Sequence, residues 1–199
     1  MKDHYSFIAS WYSDLAKFVF GTTLKDSKLM FAGELQGKKI LFIGGGDGSD
    51  YRDIQHDIQG EYWELSASML DQARGNLVNS GLIFHLGNFI SDRKFDLVCL
   101  PFVLDTLPDE ELESLLFSLK RNLKPGGKVF LSDFFQPVNF RQKVLHWSMI
   151  SFFRFATGHR RKDIPAYELA FERAGFILSQ EKKLLKGWVR AQLWEPEKN

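Results

Sequence analysis

The sequence is poor in cysteine: Cys99 is the only one in 199 residues. One thiol excludes an intramolecular disulfide and any cysteine-built metal cluster, and it suits a reducing compartment, so a cytoplasmic location is expected and no metal site. Charge of one sign is also lacking, since 26 Lys and Arg against 25 Asp and Glu leave a net charge of +1. Phosphate-binding proteins usually carry a basic excess, so nucleic acid is not expected as a partner. No window reaches the roughly 20 apolar residues that a transmembrane helix needs. The nearest approach, residues 144–156, is interrupted by His146, Ser148, Ser151 and Arg154. Residues 1–5 show no basic stretch leading into an apolar core, so no secretory signal is expected. Fixed-period repeats, low-complexity tracts and a G-x-x-x-x-G-K-[ST] phosphate cradle are all absent.

What is present is an alternation of short apolar runs with helical patterns. Ile8, Trp11, Tyr12, Leu15, Phe18 and Val19 recur at helical spacing up to Gly21, and Leu29, Met30, Ala32 and Leu35 suggest a second helix ending near Gly37. Residues 38–43, 61–65, 82–86, 95–100 and 128–134 read as five strands, the first entering a glycine cluster. Ser66 caps a helix carrying Met69, Leu70, Ala73 and Leu77; Pro108-Asp109 opens another with Leu112, Leu115, Leu116 and Leu119; residues 124–127 (KPGG) form a turn. Residues 138–156 and 165–174 read as helices. Residues 176–185 and 188–194 read as strands joined by a tight turn at Lys186-Gly187. The expectation is an α/β fold: a Rossmann-like, mostly parallel sheet of seven strands, helices on both faces, and a C-terminal hairpin adding an antiparallel strand. No linker divides residues 1–199, so one domain is expected, with a helical cap over 1–36 and a helical lid insertion over 138–174.

The chemistry concentrates where residues 40–43 run into Gly44-Gly45-Gly46-Asp47-Gly48. In open α/β sheets ligands bind beyond the carboxyl ends of the strands. Glycines there let backbone turn sharply and approach a ligand, and a following helix offers unpaired N–H groups. Glu64 lies twenty positions after Gly44, at the end of the second strand. A carboxylate placed there can accept hydrogen bonds from both hydroxyls of a ribose. Loop and acid together indicate a nucleoside-containing ligand. The dinucleotide fingerprint G-x-G-x-x-G is not met, because Ser49 stands at its third glycine.

These residues resemble a class I S-adenosylmethionine (SAM)-dependent methyltransferase. Gly44, Gly46 and Gly48 match its G-x-G-x-G, and residues 63–70 (WELSASML) resemble its ribose-acid run "D-x-S-x-x-M-L". Gly87-Asn88-Phe89 is similar to the "G-D-hydrophobic" step, residues 95–98 (FDLV) to "F-D-x-V", residues 123–127 (LKPGG) to "L-K-P-G-G", and residues 174–176 (AGF) to the entry of the sixth strand. The matches run in order over residues 38–194. Residues 11–14 (WYSD) resemble the "Y-D" segment of the small-molecule branch, which includes quinone and phospholipid-amine methyltransferases. Two positions depart from the pattern: Phe42 replaces an acid that helps hold the methionine end of SAM, and Asn88 replaces an Asp near the adenine.

The resemblance implies SAM as cofactor, held by Gly44, Gly45, Gly46, Glu64, Leu65, Asn88 and Phe89, with Pro101 and Phe102 beside the donor methyl group. It implies a small-molecule acceptor. Asp105 is the candidate base or acceptor anchor, with a polar loop residue as the plain alternative. His146 is a second catalytic candidate, or a structural histidine in an apolar helix. Asp47 either reaches the cofactor or caps the next helix; Tyr12 either covers the cofactor or packs in the core. Residues 147–155 are apolar on nearly every side, so they are buried, cover an apolar acceptor, or touch an apolar partner. The basic run 159–162 (HRRK) is either a solvated loop or an anion or phospholipid contact, which leaves peripheral membrane contact open. Oligomeric state is not legible. Competing readings are a non-catalytic methyltransferase-like nucleoside-binding or interaction module, and an NAD(P)-dependent oxidoreductase.

Overall fold

The structure, a computed structural model, describes residues 20–157 and 163–197. Seven strands form one sheet in the order β3-β2-β1-β4-β5-β7-β6. They are β1 (Lys39–Ile43), β2 (Gln59–Glu64), β3 (Gly81–Leu86), β4 (Phe95–Pro101), β5 (Leu123–Phe134), β6 (Phe176–Leu184) and β7 (Val189–Pro196). Strands β1 to β5 pair in parallel, and β7 runs antiparallel between β5 and β6, as the closing hairpin required. The helices are α1 (Thr23–Leu29), α2 (Ala67–Asn76), α3 (Asp109–Asn122), α4 (Phe140–Thr157) and α5 (Tyr167–Arg173), with a long 3₁₀ segment over Ser49–Asp57.

Side-chain alternation along the central strands builds two core layers. Leu41, Val98, Leu100, Val129 and Leu131 point to one face and meet Leu112, Leu116 and Leu119 of α3 and Tyr167, Ala170 and Phe171 of α5. Ile40, Phe42, Leu97 and Cys99 point to the other and meet Tyr51 and, on α2, Leu70 and Ala73. Because both faces are covered, β1 and β4 read as unbroken apolar runs. Cys99 is buried packing, and burial pushes its thiol far above the ordinary range, so it is no nucleophile. Ser66 caps α2 by accepting from the Met69 N–H at 3.3 Å. Asp109, Glu110 and Glu111 open α3 while Lys120 and Arg121 close it, matching the helix dipole.

Two expectations are corrected. The second N-terminal helix over residues 29–35 is not formed; helix α1 ends at Leu29 and only a 3₁₀ turn, Ala32–Glu34, follows, between the breaks at Phe31 and Gly37. The KPGG turn is a bulge within β5: Leu123 pairs with Phe95 and Lys128 with Leu97, and the residues between loop out around Gly126 at φ 75°. On α4, Trp147 is 72% exposed while Leu145 packs on the Phe134–Trp188 cluster. The first predicted helix, Tyr12 and the run 159–162 lie outside the described residues.

Candidate active site

Strand order reverses between β1 and β4, so a crevice opens above their carboxyl ends. The glycine loop fills one side of it. Gly45 sits where a Cβ would stand 2.3 Å from the Tyr62 hydroxyl, so only glycine fits; that hydroxyl donates to the Gly46 carbonyl at 3.0 Å. Gly46 has φ 69°, and a Cβ there would meet nothing within 4 Å. The loop is thus pinned from behind by Tyr62 and open in front. Asp47 accepts from the Ser49 N–H at 3.0 Å and the Ser49 hydroxyl at 2.8 Å, a local turn at the entry to the 3₁₀ segment.

Glu64 closes the corner. Its Oε2 accepts from the Gly46 N–H and its Oε1 from the Ser66 N–H, both at 3.0 Å, so backbone donors on two elements aim the carboxylate. Beyond it, Leu65 is 56% exposed, Asn88 is exposed, and Phe89 is half-buried and edge-on to Trp63 at 5.7 Å. Gly87 donates to the Glu64 carbonyl at 2.9 Å, which ties the Asn88 step to the acid. The corner therefore pairs a fixed carboxylate with apolar surface, an arrangement suited to a ribose and a flat base. Phe42 is fully buried between Tyr51 and Tyr62, with ring centroids at 4.9 and 5.6 Å. The β1 position at which the resemblance expects an acid is packed as core.

The other side of the crevice lies above β4 and β5. Pro101 is buried at the end of β4. Phe102 follows it at φ 53°, a backbone region rare for a bulky residue, and its N–H donates to the Ser132 carbonyl at 2.7 Å. Its ring packs at 5.2 Å on Phe134, which in turn meets Trp188 at 5.4 Å. Asp105 lies on the 3₁₀ turn Leu104–Thr106, half-buried. It faces Asp133, a residue not singled out by the sequence. Asp133 is fully buried near the end of β5 and accepts from its neighbour Phe134's N–H at 2.8 Å. Burial drives its carboxyl well above the usual range and the Asp105 charge drives it further, while Phe134, Tyr167 and the Asp105 backbone oppose the rise. His146, on α4, faces Trp188 with ring centroids 6.4 Å apart, and burial lowers its pKa, so it is neutral. Among the described residues, the buried Trp188 indole N–H and the His146 Nδ1 have no hydrogen-bond partner. Asp133, Tyr167 and Trp188 were missed because only the fold brings them together; the one local signal is an acid ending an apolar strand on the ligand side of the sheet. Among the described residues no cluster of three His, Cys, Asp or Glu is placed to hold a metal.

Sheet order, glycine loop and strand-end acid together define a Rossmann-like protein of the class I methyltransferase type. Comparison with known proteins gives the family: residues 15–181 match the methyltransferase domain model, and the chain belongs to that family. This sets the oxidoreductase alternative aside. The ubiquinone/menaquinone biosynthesis C-methyltransferase UbiE of Haemophilus ducreyi is 29% identical over 140 residues, covering 63% of this chain and 52% of that protein. UbiE of Cupriavidus taiwanensis is 32% identical over 113 residues, 52% of this chain and 46% of that one. The chain spans about half the length of these curated relatives. Among solved structures, the DhpI complex with SAH aligns with TM-score 0.71 at 18% identity over 98% of this chain and 95% of that one. Magnesium protoporphyrin IX methyltransferase of Synechocystis, also with SAH, aligns with TM-score 0.62 at 18% identity over 85% of this chain and 78% of that one. These structures share the fold.

Proposed function

We propose that this chain transfers a methyl group from SAM to a small, largely apolar acceptor that carries an oxygen function. The observation that carries the reading is the Glu64 carboxylate fixed on the Gly46 N–H at 3.0 Å, with open space in front of Gly46. The nucleoside half of SAM fits this corner. Glu64 would take the ribose hydroxyls; Leu65, Asn88 and Phe89 would border the adenine; the backbone of Gly44, Gly45 and Gly46 would approach the ligand from below. The methionine half finds no carboxylate on β1, because Phe42 is core. Pro101 and Phe102 would flank the reactive end. When bound, SAM supplies a sulfonium-activated methyl group that needs no further activation by the protein.

The chain's own residues then have two tasks, positioning and proton handling. Holding an acceptor in line in a dry crevice can supply up to about 7–11 kcal/mol of a barrier in ideal systems. An acceptor O–H, N–H or acidic C–H must also lose a proton. Asp105 would take it, with Asp133 behind it, whose carboxyl is held well above the usual range by burial and by the Asp105 charge. The unpartnered Trp188 N–H and the neutral His146 ring, set among Phe102, Phe134 and Trp188, suit an acceptor with one or two oxygens on an apolar frame. The UbiE relatives, whose name ties them to ubiquinone and menaquinone, favour a quinol-type ring.

Incubating the purified chain with SAM and a panel of demethylated quinols and phenols, and measuring S-adenosylhomocysteine (SAH), tests the reading. Acceptor-dependent SAH is expected, with Asp105→Asn reducing kcat by about 10²–10⁴ while SAM affinity is kept. Undiminished turnover in that variant removes Asp105 from catalysis. A non-catalytic nucleoside-binding module is the second reading, favoured by Phe42 alone, and any acceptor-dependent SAH formation excludes it.

A further inference from the structure

Helix α4 is two-sided over its first turns. One side meets the protein: Leu145 packs on the Phe134–Trp188 cluster, His146 faces Trp188, and the Gln142 amide donates to the Leu185 carbonyl at 2.9 Å. On the other side Phe140, Val144 and Trp147 stand 79%, 50% and 72% exposed. Their spacing of i, i+4, i+7 puts them on one line of the helix. Arg141 and Lys143, both exposed, flank that line. A row of two aromatics and a valine in water needs a cover.

Charge identifies the cover. In a chain of net charge +1, no Asp or Glu occurs between Asp133 and Asp163, while Arg141, Lys143, Arg154, Arg160, Arg161 and Lys162 all fall there. Among the described residues no helix is long and apolar enough to cross a membrane. An apolar line bordered by cations, in a stretch without acids, is the pattern of a helix lying in the headgroup plane of an anionic bilayer. A Trp on that line suits the interface, where its ring is part apolar and part polar.

We infer that α4 is a membrane-docking element, seating Phe140, Val144 and Trp147 in an anionic lipid surface with Arg141 and Lys143 on the headgroups. The inference concerns where the protein works and holds whatever acceptor it methylates; an apolar acceptor dissolved in that bilayer would reach the crevice beside α4.

The test is cosedimentation of the full chain with phosphatidylcholine vesicles and with vesicles containing phosphatidylglycerol, alongside Phe140→Ser/Trp147→Ser and Arg141→Glu/Lys143→Glu variants. Partition into anionic vesicles only is expected, lost in about 1 M salt, where the Debye length has shrunk to about 3 Å. Each double variant should bind at least tenfold less, with circular dichroism and SAM affinity unchanged. Trp147 emission should shift to the blue on binding, a shift absent in Trp147→Phe. No partition at low salt, or equal partition by the variants, overturns the inference. So does a dimer that Trp147→Ser dissociates, which would assign the line to a second copy. Vesicle binding that appears only after deletion of residues 1–19 overturns it equally, by assigning the line to that segment.

Discussion

The Gly46 N–H and the Glu64 carboxylate are hydrogen-bonded at 3.0 Å, joining the loop after β1 to the end of β2. The bond makes one unit of two features eighteen residues apart: the acid is aimed by the loop, and the loop is held by the acid.

Two neighbouring glycines serve different ends, and replacing each with alanine separates them. In Gly45→Ala the new methyl would crowd the buried Tyr62, and overpacking of this kind costs about 1–3 kcal/mol. In Gly46→Ala the methyl enters open space, and the φ of 69° costs about 1–2 kcal/mol. Urea unfolding should show both losses. Calorimetry should show SAM affinity falling much further in Gly46→Ala than its stability loss would suggest, because its methyl occupies the ligand's side of the loop. Equal affinities for wild type and Gly46→Ala would contradict that placement.

Restoring an acid on β1 should fail. Phe42 is packed between Tyr51 and Tyr62 with no counter-charge against it, so Phe42→Asp buries an uncompensated carboxylate at a cost of roughly 3–5 kcal/mol. Thermal unfolding should fall sharply, and the folded fraction should bind SAM no more tightly than wild type. A gain in affinity without loss of stability would show that the side chain at position 42 reaches the crevice.

Asp133 predicts a pH dependence of stability. Its native carboxyl keeps a proton well above the unfolded value of about 3.9. Above that value the native state holds a proton that the unfolded chain has released, so this group's contribution falls as pH rises, until Asp133 itself ionises. Asp133→Asn removes the dependence. The stability of the variant relative to wild type should therefore climb between about pH 4 and pH 7, by up to about 1.4 kcal/mol per unit. Urea unfolding of both proteins across that range reads the difference; a constant difference would mean that Asp133 is ionised in the native state.

The sheet was legible because its physics is local. Residues 40–43 and 95–100 are apolar without alternation, and glycine and lysine mark the hairpin at 186–187. The nucleoside corner was legible for the same reason, since the loop and Glu64 are fixed by strand ends. Asp47 was ambiguous in sequence because a turn at the segment's entry and ligand contact ask for the same side chain; the bonds to Ser49 engage one of its carboxylate oxygens. Asp133 was invisible because an acid after an apolar strand reads as solvated, and its meeting with Asp105, twenty-eight residues away, is a product of β4 and β5 pairing. Trp147 was left open because an apolar stretch looks alike whether it packs inward or waits for a partner. The apolar spacing continues across Gly33 and so suggested a helix, but the non-helical Phe31 and the left-handed Gly37 leave room only for the 3₁₀ turn at Ala32–Glu34.

The most direct measurement is calorimetric titration of the purified chain with SAM and with SAH, beside Glu64→Ala. The account predicts micromolar binding of both ligands by the wild type. It predicts a loss of at least tenfold in the variant, since a hydrogen bond to a charged group is worth about 1.5–3 kcal/mol and circular dichroism should show the fold retained. Absence of binding by the folded wild type, or equal binding by Glu64→Ala, would contradict the nucleoside site on which the functional reading stands.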